Sequence, residues 1–170
     1  GEHFQLLVEW NDTAGAFSGD LCLHELIEAQ AARTPNAVAV TSERESLSYQ
    51  DLDIKAGLLA GALRHRGVGP EVLVGICLER SPDMIVAILA VLKAGGAYLP
   101  LDLSTPKSRL ELMVQDAGAA VLLTCQPLLH QLSGCGVPLL CLDQDLVYEA
   151  SEVDALRTPA PRPENLAYVM

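Results

Sequence analysis

The chain has 170 residues, half of which are hydrophobic, and it carries 11 Lys and Arg against 22 Asp and Glu, a formal net charge of −11. A chain of this size can bury about 70% of the surface that its unfolded form exposes, which predicts one folded domain with its own core. Because so acidic a protein has few cations for phosphate groups or anionic lipids, we expect neither nucleic acid nor a membrane as a partner.

The five cysteines indicate neither a disulfide framework nor a zinc site. Their number is odd and no two of them are separated by only two residues, so we predict reduced thiols packed as small hydrophobic side chains. The N-terminal residues Gly1–Phe4 show no basic segment followed by an apolar one, so no signal peptide is predicted and we expect a cytoplasmic protein. The cysteines are Cys22, Cys77, Cys125, Cys135 and Cys141.

The first predicted elements are an arm and two helices. Residues 1–19 lack sustained periodicity and carry a turn-prone polar cluster, which predicts a linker or leading arm. Apolar residues at helical spacing then predict a first helix, with Asp20 as its N-cap and Thr34–Pro35 at its end. A hairpin pattern follows. The next helix is predicted to begin at Ser48, which has the sequence pattern of a capping box with Asp51.

After this helix, near-continuous apolar strands alternate with amphipathic helices. Strands of this kind are buried on both faces, because a helix follows each of them and packs back on the sheet. Right-handed crossovers then predict the fold class α/β, with a mostly parallel, doubly wound sheet flanked by helices over residues 20–142. The predicted strands are Val72–Leu78, Ala97–Leu101, Ala119–Thr124 and Val137–Leu142.

The last part of the chain changes in composition. Residues 143–164 pass from acidic residues to a proline-rich run, which predicts an extended linker. Residues 165–170 are predicted to start another strand. The chain stops within that strand, which we interpret as a truncation.

The residue patterns alone predict no catalytic, cofactor-binding or metal-binding residue. Gly95 and Gly96 follow a helix, so they are predicted to cap its C-terminus and cannot cradle a phosphate at a helix start. Asp102 follows a strand and is expected at the carboxyl edge of the sheet, where α/β folds bind ligands. A turn or capping role is favoured for it over ligand binding. The four histidines are predicted to be surface or partly packed residues.

Two stretches resemble motifs of the amino-acid adenylation domains of nonribosomal peptide synthetases, a family of the adenylate-forming, or AMP-binding, superfamily. Residues 47–52 read LSYQDL, which matches L-[TS]-Y-x-E-L with Asp in place of Glu. Residues 92–102 read LKAGGAYLPLD, which matches L-K-A-G-x-A-Y-V-P-I-D with aliphatic changes only. The motif positions, which are predicted to be structural, are Leu47, Ser48, Tyr49, Leu52, Leu92, Lys93, Ala94, Gly95, Gly96, Ala97, Tyr98, Pro100 and Asp102.

The resemblance covers essentially the whole chain and implies the N-terminal subdomain of the adenylate-forming fold. It implies that the complete domain activates an amino acid with ATP and Mg²⁺, releases pyrophosphate, and loads the aminoacyl group on a phosphopantetheine thiol of a carrier domain. The implied partners are the rest of the adenylation domain and the neighbouring condensation and carrier domains. The family's phosphate loop is expected after Met170, so we expect the isolated chain to hold no cofactor and to be catalytically inactive.

Two alternatives stay open from the sequence. One is a non-catalytic interaction or docking module. The other is the N-terminal part of an acyl- or aryl-acid CoA ligase.

One position suggests a further partner. Residues 102–109 resemble a surface at which some adenylation domains bind a small MbtH-like helper protein. The matching residue is Ser104, where such domains commonly have Ala. The alternative for Ser104 is a solvated helix N-cap.

Overall fold

A computed structural model describes residues 2–13, 15, 21–43, 45–143 and 160–170. Its helices are α1 (Glu2–Phe4), α2 (Leu23–Arg33), α3 (Tyr49–His65), α4 (Pro82–Ala94), α5 (Lys107–Ala117) and α6 (Leu129–Leu132). Its strands are β1 (Val38–Thr41), β2 (Ser46–Ser48), β3 (Leu73–Ile76), β4 (Ala97–Pro100), β5 (Val121–Thr124) and β6 (Leu139–Cys141). A π-helical turn spans Gln5–Glu9 and a 3-10 turn spans Gln126–Leu128. None of the helices in these ranges is long and apolar enough to cross a bilayer.

Four strands form a parallel sheet in the order β4-β3-β5-β6. Val74 of β3 lies between Tyr98 of β4 and Val121 of β5, and Thr124 of β5 pairs with Cys141 of β6. β1 and β2 form a separate antiparallel hairpin before α3. The predicted α/β fold class with a parallel sheet is therefore confirmed.

The sheet is covered on both faces, which explains why its strands are apolar throughout. On one face, α3 and α4 pack against side chains such as Val74 and Leu123. On the other face, α5 and α6 pack against side chains such as Leu99 and Leu122. The connection from β4 to β5 crosses over β3, and it contains α5. This alternation of faces is the doubly wound arrangement that the sequence predicts.

Helix α4 is the most apolar helix and lies in the centre of the molecule. The hydroxyl of Ser81 accepts from the Met84 N–H at 3.4 Å, and Pro82 occupies the first turn. Gly95 ends the helix with φ +90°, a left-handed conformation that favours glycine. This is the helix C-cap predicted from the sequence. The buried residues of α4 are Pro82, Val86, Ala87, Leu89, Ala90, Val91, Leu92 and Ala94.

Gly96 is required by the close approach of the chain to its neighbours. A Cβ at this position would lie 2.7 Å from Val68 Cγ1 and 3.0 Å from the carbonyl oxygen of Val72. The second contact is with backbone and cannot be relieved by a rotamer change. Gly96 therefore lets β4 begin directly against the segment that leads into β3.

The N-terminal part of the chain differs from the sequence prediction. The first part of the predicted arm is helical, since α1 and the π-helical turn occupy residues 2–9. The expected N-cap of the next helix, Asp20, lies outside the described residues. Cys22 is the N-cap instead, and its N–H donates to Glu25 Oε2 at 2.6 Å. The prediction missed this start because it placed the cap by residue type and overlooked the carboxylate three positions after Cys22.

Substitution of Gly96 tests the close approach at the start of β4. We expect Gly96→Ala to lower the free energy of unfolding by about 1–3 kcal/mol, because the added methyl group overpacks a site bounded by backbone. Gly61→Ala is the matched control, since no heavy atom lies within 4 Å of the Cβ position at this helical glycine. The control should raise the free energy of unfolding by about 0.5–1 kcal/mol. Urea denaturation measures both, and equal midpoints for Gly96→Ala and wild type would contradict the packing argument.

Candidate functional site

The second motif runs from the end of α4 to the carboxyl edge of the sheet. Lys93 and Ala94 form the last turn of α4, the two glycines make the turn, and Ala97 to Pro100 form β4. Asp102 follows β4 at the edge where parallel sheets bind ligands. The motif therefore connects the interior of the molecule to the edge at which a site is expected.

Lys93 is the centre of an ion-pair cluster that joins three helices. Its Nζ lies 2.6 Å from Glu28 Oε1 of α2 and 2.8 Å from Asp53 Oδ1 of α3, and its side chain is only 9% exposed. The guanidinium of Arg64 donates to the carbonyl oxygen of Lys93 at 2.8 Å. A buried ammonium group needs such partners, because an unpaired charge in the interior is strongly destabilising.

His24 of α2 lies near the same cluster. Burial lowers the pKa of His24, and the neighbouring carboxylates of Glu28 and Glu25 oppose that change. The imidazole is therefore neutral near pH 7. His24 is buried, more completely than the surface or partly packed position that the sequence predicts.

The first motif supplies the start of α3 and part of the core. Asp51 N donates to Ser48 Oγ at 3.1 Å, and Ser48 N donates to Asp51 Oδ2 at 3.2 Å, which is a capping box. The hydrogen bonds from the Ser48 hydroxyl and N–H hold the pKa of Asp51 below its usual value. Leu47 and Leu52 are buried in the same core cluster as Ala94 of the second motif. The two motifs therefore meet in one core.

Asp102 forms a turn with Ser104, as the sequence analysis favours. Asp102 Oδ1 accepts from the Ser104 N–H and from its hydroxyl, both at 2.8 Å. The hydrogen bond from the Ser104 N–H has the larger effect on the pKa of Asp102, and both hydrogen bonds lower it. The alternative of Ser104 as a helix N-cap is wrong, because Pro106 occupies the N-cap position of α5. Ser104 is exposed, and its hydroxyl is bonded to a carboxylate two residues earlier.

The carboxyl ends of β3 and β5 form the topological switch point of the sheet. These neighbouring strands send their following helices, α4 and α6, to opposite faces, which is where α/β folds bind ligands. A cavity of about 310 Å³ lies there, and carboxylates from Glu79, Asp83 and Asp143 line it. Asp143 accepts with both oxygens from the Gln126 N–H at 3.0 Å. Three carboxylates in its lining give this cavity a negative electrostatic potential.

Four cysteine thiols have raised pKa values. Burial raises the pKa of Cys77 to about 11. Burial is the main cause that raises the pKa of Cys125, and the nearby carboxylate of Asp143 also raises it. Burial likewise raises the pKa values of Cys22 and Cys135. These four thiols are protonated near pH 7, so none is a ready nucleophile or metal ligand. In the part of the chain that the structure describes, no three His, Cys, Asp or Glu side chains are arranged so that they could hold a metal ion.

The last described segment, residues 160–170, lies along the outer edge of β4. Tyr168 forms a parallel bridge with Tyr98, and the two rings stack with centroids 5.6 Å apart. A cavity of about 390 Å³ separates this segment from α2, with Leu23, Leu26 and Leu166 in its lining. The segment therefore contacts the sheet mainly through its backbone and Tyr168.

A model of the family described as AMP-binding enzyme matches residues 27–170. The chain belongs to the AMP-binding enzyme family. It is 46% identical, over 99% of its length, to one of the linear gramicidin synthase subunits of Brevibacillus parabrevis, of which it covers 3%. It is 45% identical, again over 99% of its length, to gramicidin S synthase 2 of Brevibacillus brevis, of which it covers 4%.

The AMP-binding fold is also found in solved structures. The nonribosomal peptide synthetase FmoA3, in its α-methyl-L-serine-AMP bound form, matches 95% of this chain with a TM-score of 0.83 and 37% identity. This chain covers 18% of the FmoA3 chain. The resemblance to adenylation domains of nonribosomal peptide synthetases is therefore confirmed, and the chain is an N-terminal part of such a domain.

Two carboxylates that the sequence patterns of this AMP-binding chain did not single out contact Lys93 of the second motif. Glu28 and Asp53 are part of the Lys93 cluster, although they are 65 and 40 residues away from it in sequence. The available signal was a lysine in an otherwise apolar helix end, which requires carboxylate partners but does not identify them.

Replacement of Lys93 tests the ion-pair cluster. We expect Lys93→Gln to lower the free energy of unfolding by about 2 kcal/mol and the melting temperature by roughly 4–8 °C, because two partly buried carboxylates lose their cation. Lys55→Gln on α3 is the control and should change the free energy by less than about 0.5 kcal/mol. Calorimetry measures both variants. Equal melting temperatures for Lys93→Gln and wild type would show that the cluster does not join the helices.

Proposed function

We propose that this chain is the front framework of an enzyme domain that activates an amino acid with ATP. The observation that carries the proposal is the AMP-binding family match across residues 27–170, and the likeness to FmoA3 with a bound aminoacyl-AMP supports it. The amino-acid carboxylate attacks the α-phosphorus of ATP, the bond to pyrophosphate breaks, and aminoacyl-AMP forms. A phosphopantetheine thiol of a carrier domain then attacks the acyl carbon, and AMP leaves.

In this proposal the 170 residues supply support and no catalytic group. Charge builds on the phosphates during the reaction, so backbone amides, Mg²⁺ and a cation must neutralise it. The carboxyl edge of the described sheet presents Glu79, Asp83 and Asp143 instead. We therefore assign the binding of ATP and Mg²⁺ to parts of the parent protein outside these residues, and we place the reaction in the cytoplasm, where ATP and amino acids are supplied.

The proposed division of the chain follows from the same role. Residues 1–19 form the arm that joins a preceding condensation domain, and residues 20–142 form the N-terminal subdomain. Residues 143–164 form a linker, and residues 165–170 start the next strand. The partners of this framework are then the rest of the adenylation domain and the neighbouring condensation and carrier domains.

The test of the function is ATP–pyrophosphate exchange by the complete adenylation domain that contains this segment. We expect exchange with one amino acid or a few related ones, and no exchange above background by the 170-residue chain. Exchange that requires free acyl or aryl acids instead would support a CoA ligase, and its absence with every acid would support an interaction module. Turnover by the 170-residue chain alone would contradict its role as framework.

We further propose that Ser104 forms part of the contact with an MbtH-like helper protein. The support is its exposure and its fixed position, since two hydrogen bonds hold it to Asp102 directly after β4. A small residue at an exposed, rigid turn suits insertion into a partner surface.

Co-purification with a tagged helper protein tests this contact. We expect Ser104→Arg in the complete domain to reduce the recovered helper at least about tenfold, the effect of roughly 1.4 kcal/mol of lost affinity. Ser108→Arg, on an exposed position of α5, is the matched control and should leave recovery unchanged. Recovery of the helper that survives Ser104→Arg would refute the contact.

A further inference from the structure

Glu71 has an unusual backbone conformation. It is the one non-glycine residue with a positive φ, +66°, in the described part of the chain. Val72 N donates to the Gly69 carbonyl oxygen at 3.0 Å, so Pro70 and Glu71 are the two central residues of a β-turn. Proline followed by a residue with positive φ is the pattern of a type II turn, and glycine is the favoured residue at that second position. An L-residue with a long side chain is strained there, which calls for a compensating interaction.

The side chain of Glu71 provides that interaction. Its Oε1 accepts from Asn165 Nδ2 at 2.8 Å and from the Leu166 N–H at 3.3 Å, so it bonds to residues more than 90 positions away. Asn165 also accepts from the Arg162 N–H at 2.8 Å and donates its own N–H to the Arg162 carbonyl oxygen at 3.0 Å. Glu71 therefore contacts a side chain that is itself fixed within a turn, residues 162–165.

The segment that follows this turn has few other contacts. Tyr98 N donates to the Ala167 carbonyl oxygen, and Val169 N donates to the Tyr98 carbonyl oxygen, both at 3.0 Å. Leu166 is 47% exposed and Tyr168 is 49% exposed, so burial contributes little to holding the segment. Its register on β4 depends on these backbone bonds, on the stacked tyrosines, and on Glu71 at its start.

We propose that Glu71 is a positioning residue that fixes residues 165–169 as the outer parallel strand next to β4. The strained turn places the carboxylate at the entrance of the segment, and the segment then runs parallel to β4 towards the carboxyl edge of the sheet. That edge is where parallel α/β sheets bind ligands. An effect of Glu71 on ATP binding rests on the proposed function. The AMP-binding match extends through this segment to residue 170.

Hydrogen exchange of the 170-residue chain tests the positioning directly. Glu71→Gly removes the carboxylate and also relieves the positive φ, so the two roles of the residue give opposite results. We expect the Val169 amide to exchange roughly five- to tenfold faster in this variant, the effect of losing hydrogen bonds to an ionised group, while the amides of α4 stay unchanged. Val169 is the decisive amide because its own bond is to Tyr98 and not to Glu71.

Two variants separate positioning from a simple turn effect. Glu71→Gln keeps an acceptor oxygen and should exchange closer to wild type than Glu71→Gly does. Asn165→Ala should also loosen Val169, and adding it to Glu71→Gly should have little further effect, because both variants remove the hydrogen bond between Glu71 and Asn165. Unchanged exchange at Val169 in Glu71→Gly would overturn the proposal and leave Glu71 as a turn residue only.

The complete adenylation domain tests the link to the reaction. We expect Glu71→Gly to raise the KM for ATP in pyrophosphate exchange at least about threefold, with the melting temperature equal to or above that of wild type, because a misplaced strand weakens binding without unfolding the domain. An unchanged KM for ATP would overturn the effect on the reaction even if Val169 loosens. Failure of the wild-type domain to exchange with any amino acid would instead contradict the proposed function.

Discussion

Helix α4 is buried on two sides, and this constraint shapes most of the molecule. It packs on β3 and β4 of the sheet and against α3, and its buried residues include Val86 and Ala90. A helix in this position must be apolar nearly all round, which its sequence is. Its last turn nevertheless contains Lys93, and the cluster with Glu28 and Asp53 satisfies that charge where α2 and α3 converge on it.

The same constraint explains the two family motifs as structure. The glycines after α4 end the helix and let β4 start against the segment that precedes β3. The capping box of α3 fixes the start of the helix that covers α4, with Leu47 and Leu52 beneath it. In these positions the motif residues contribute packing and turn geometry. The carboxyl edge of the sheet is lined by the carboxylates of Glu79, Asp83 and Asp143.

The sequence predicted the sheet well and the long-range polar contacts poorly. The strands around Val74 and Leu122 were predictable because burial on both faces requires unbroken apolar runs. The hydrophobic periodicity and the composition of a segment do not show which helices pack against each other. The sequence therefore did not identify Glu28 and Asp53 as the partners of Lys93. A solvated helix N-cap was the alternative for Ser104, whereas its N–H and hydroxyl donate to the Asp102 carboxylate two residues earlier. The positive φ of Glu71 was equally hidden, since glutamate has no preference for such a turn position and its carboxylate is bonded to a distant segment.

Helix α4, held between the sheet and α3, is the element on which the rest of the fold depends. Native-state hydrogen exchange of the 170-residue chain tests this dependence by comparing local opening free energies with the global free energy of unfolding. We expect the amides from Val86 to Leu92 to exchange only through global unfolding, and α5 amides to exchange earlier through local opening. Exchange of α4 amides at a lower opening free energy than that of α5 amides would contradict this account.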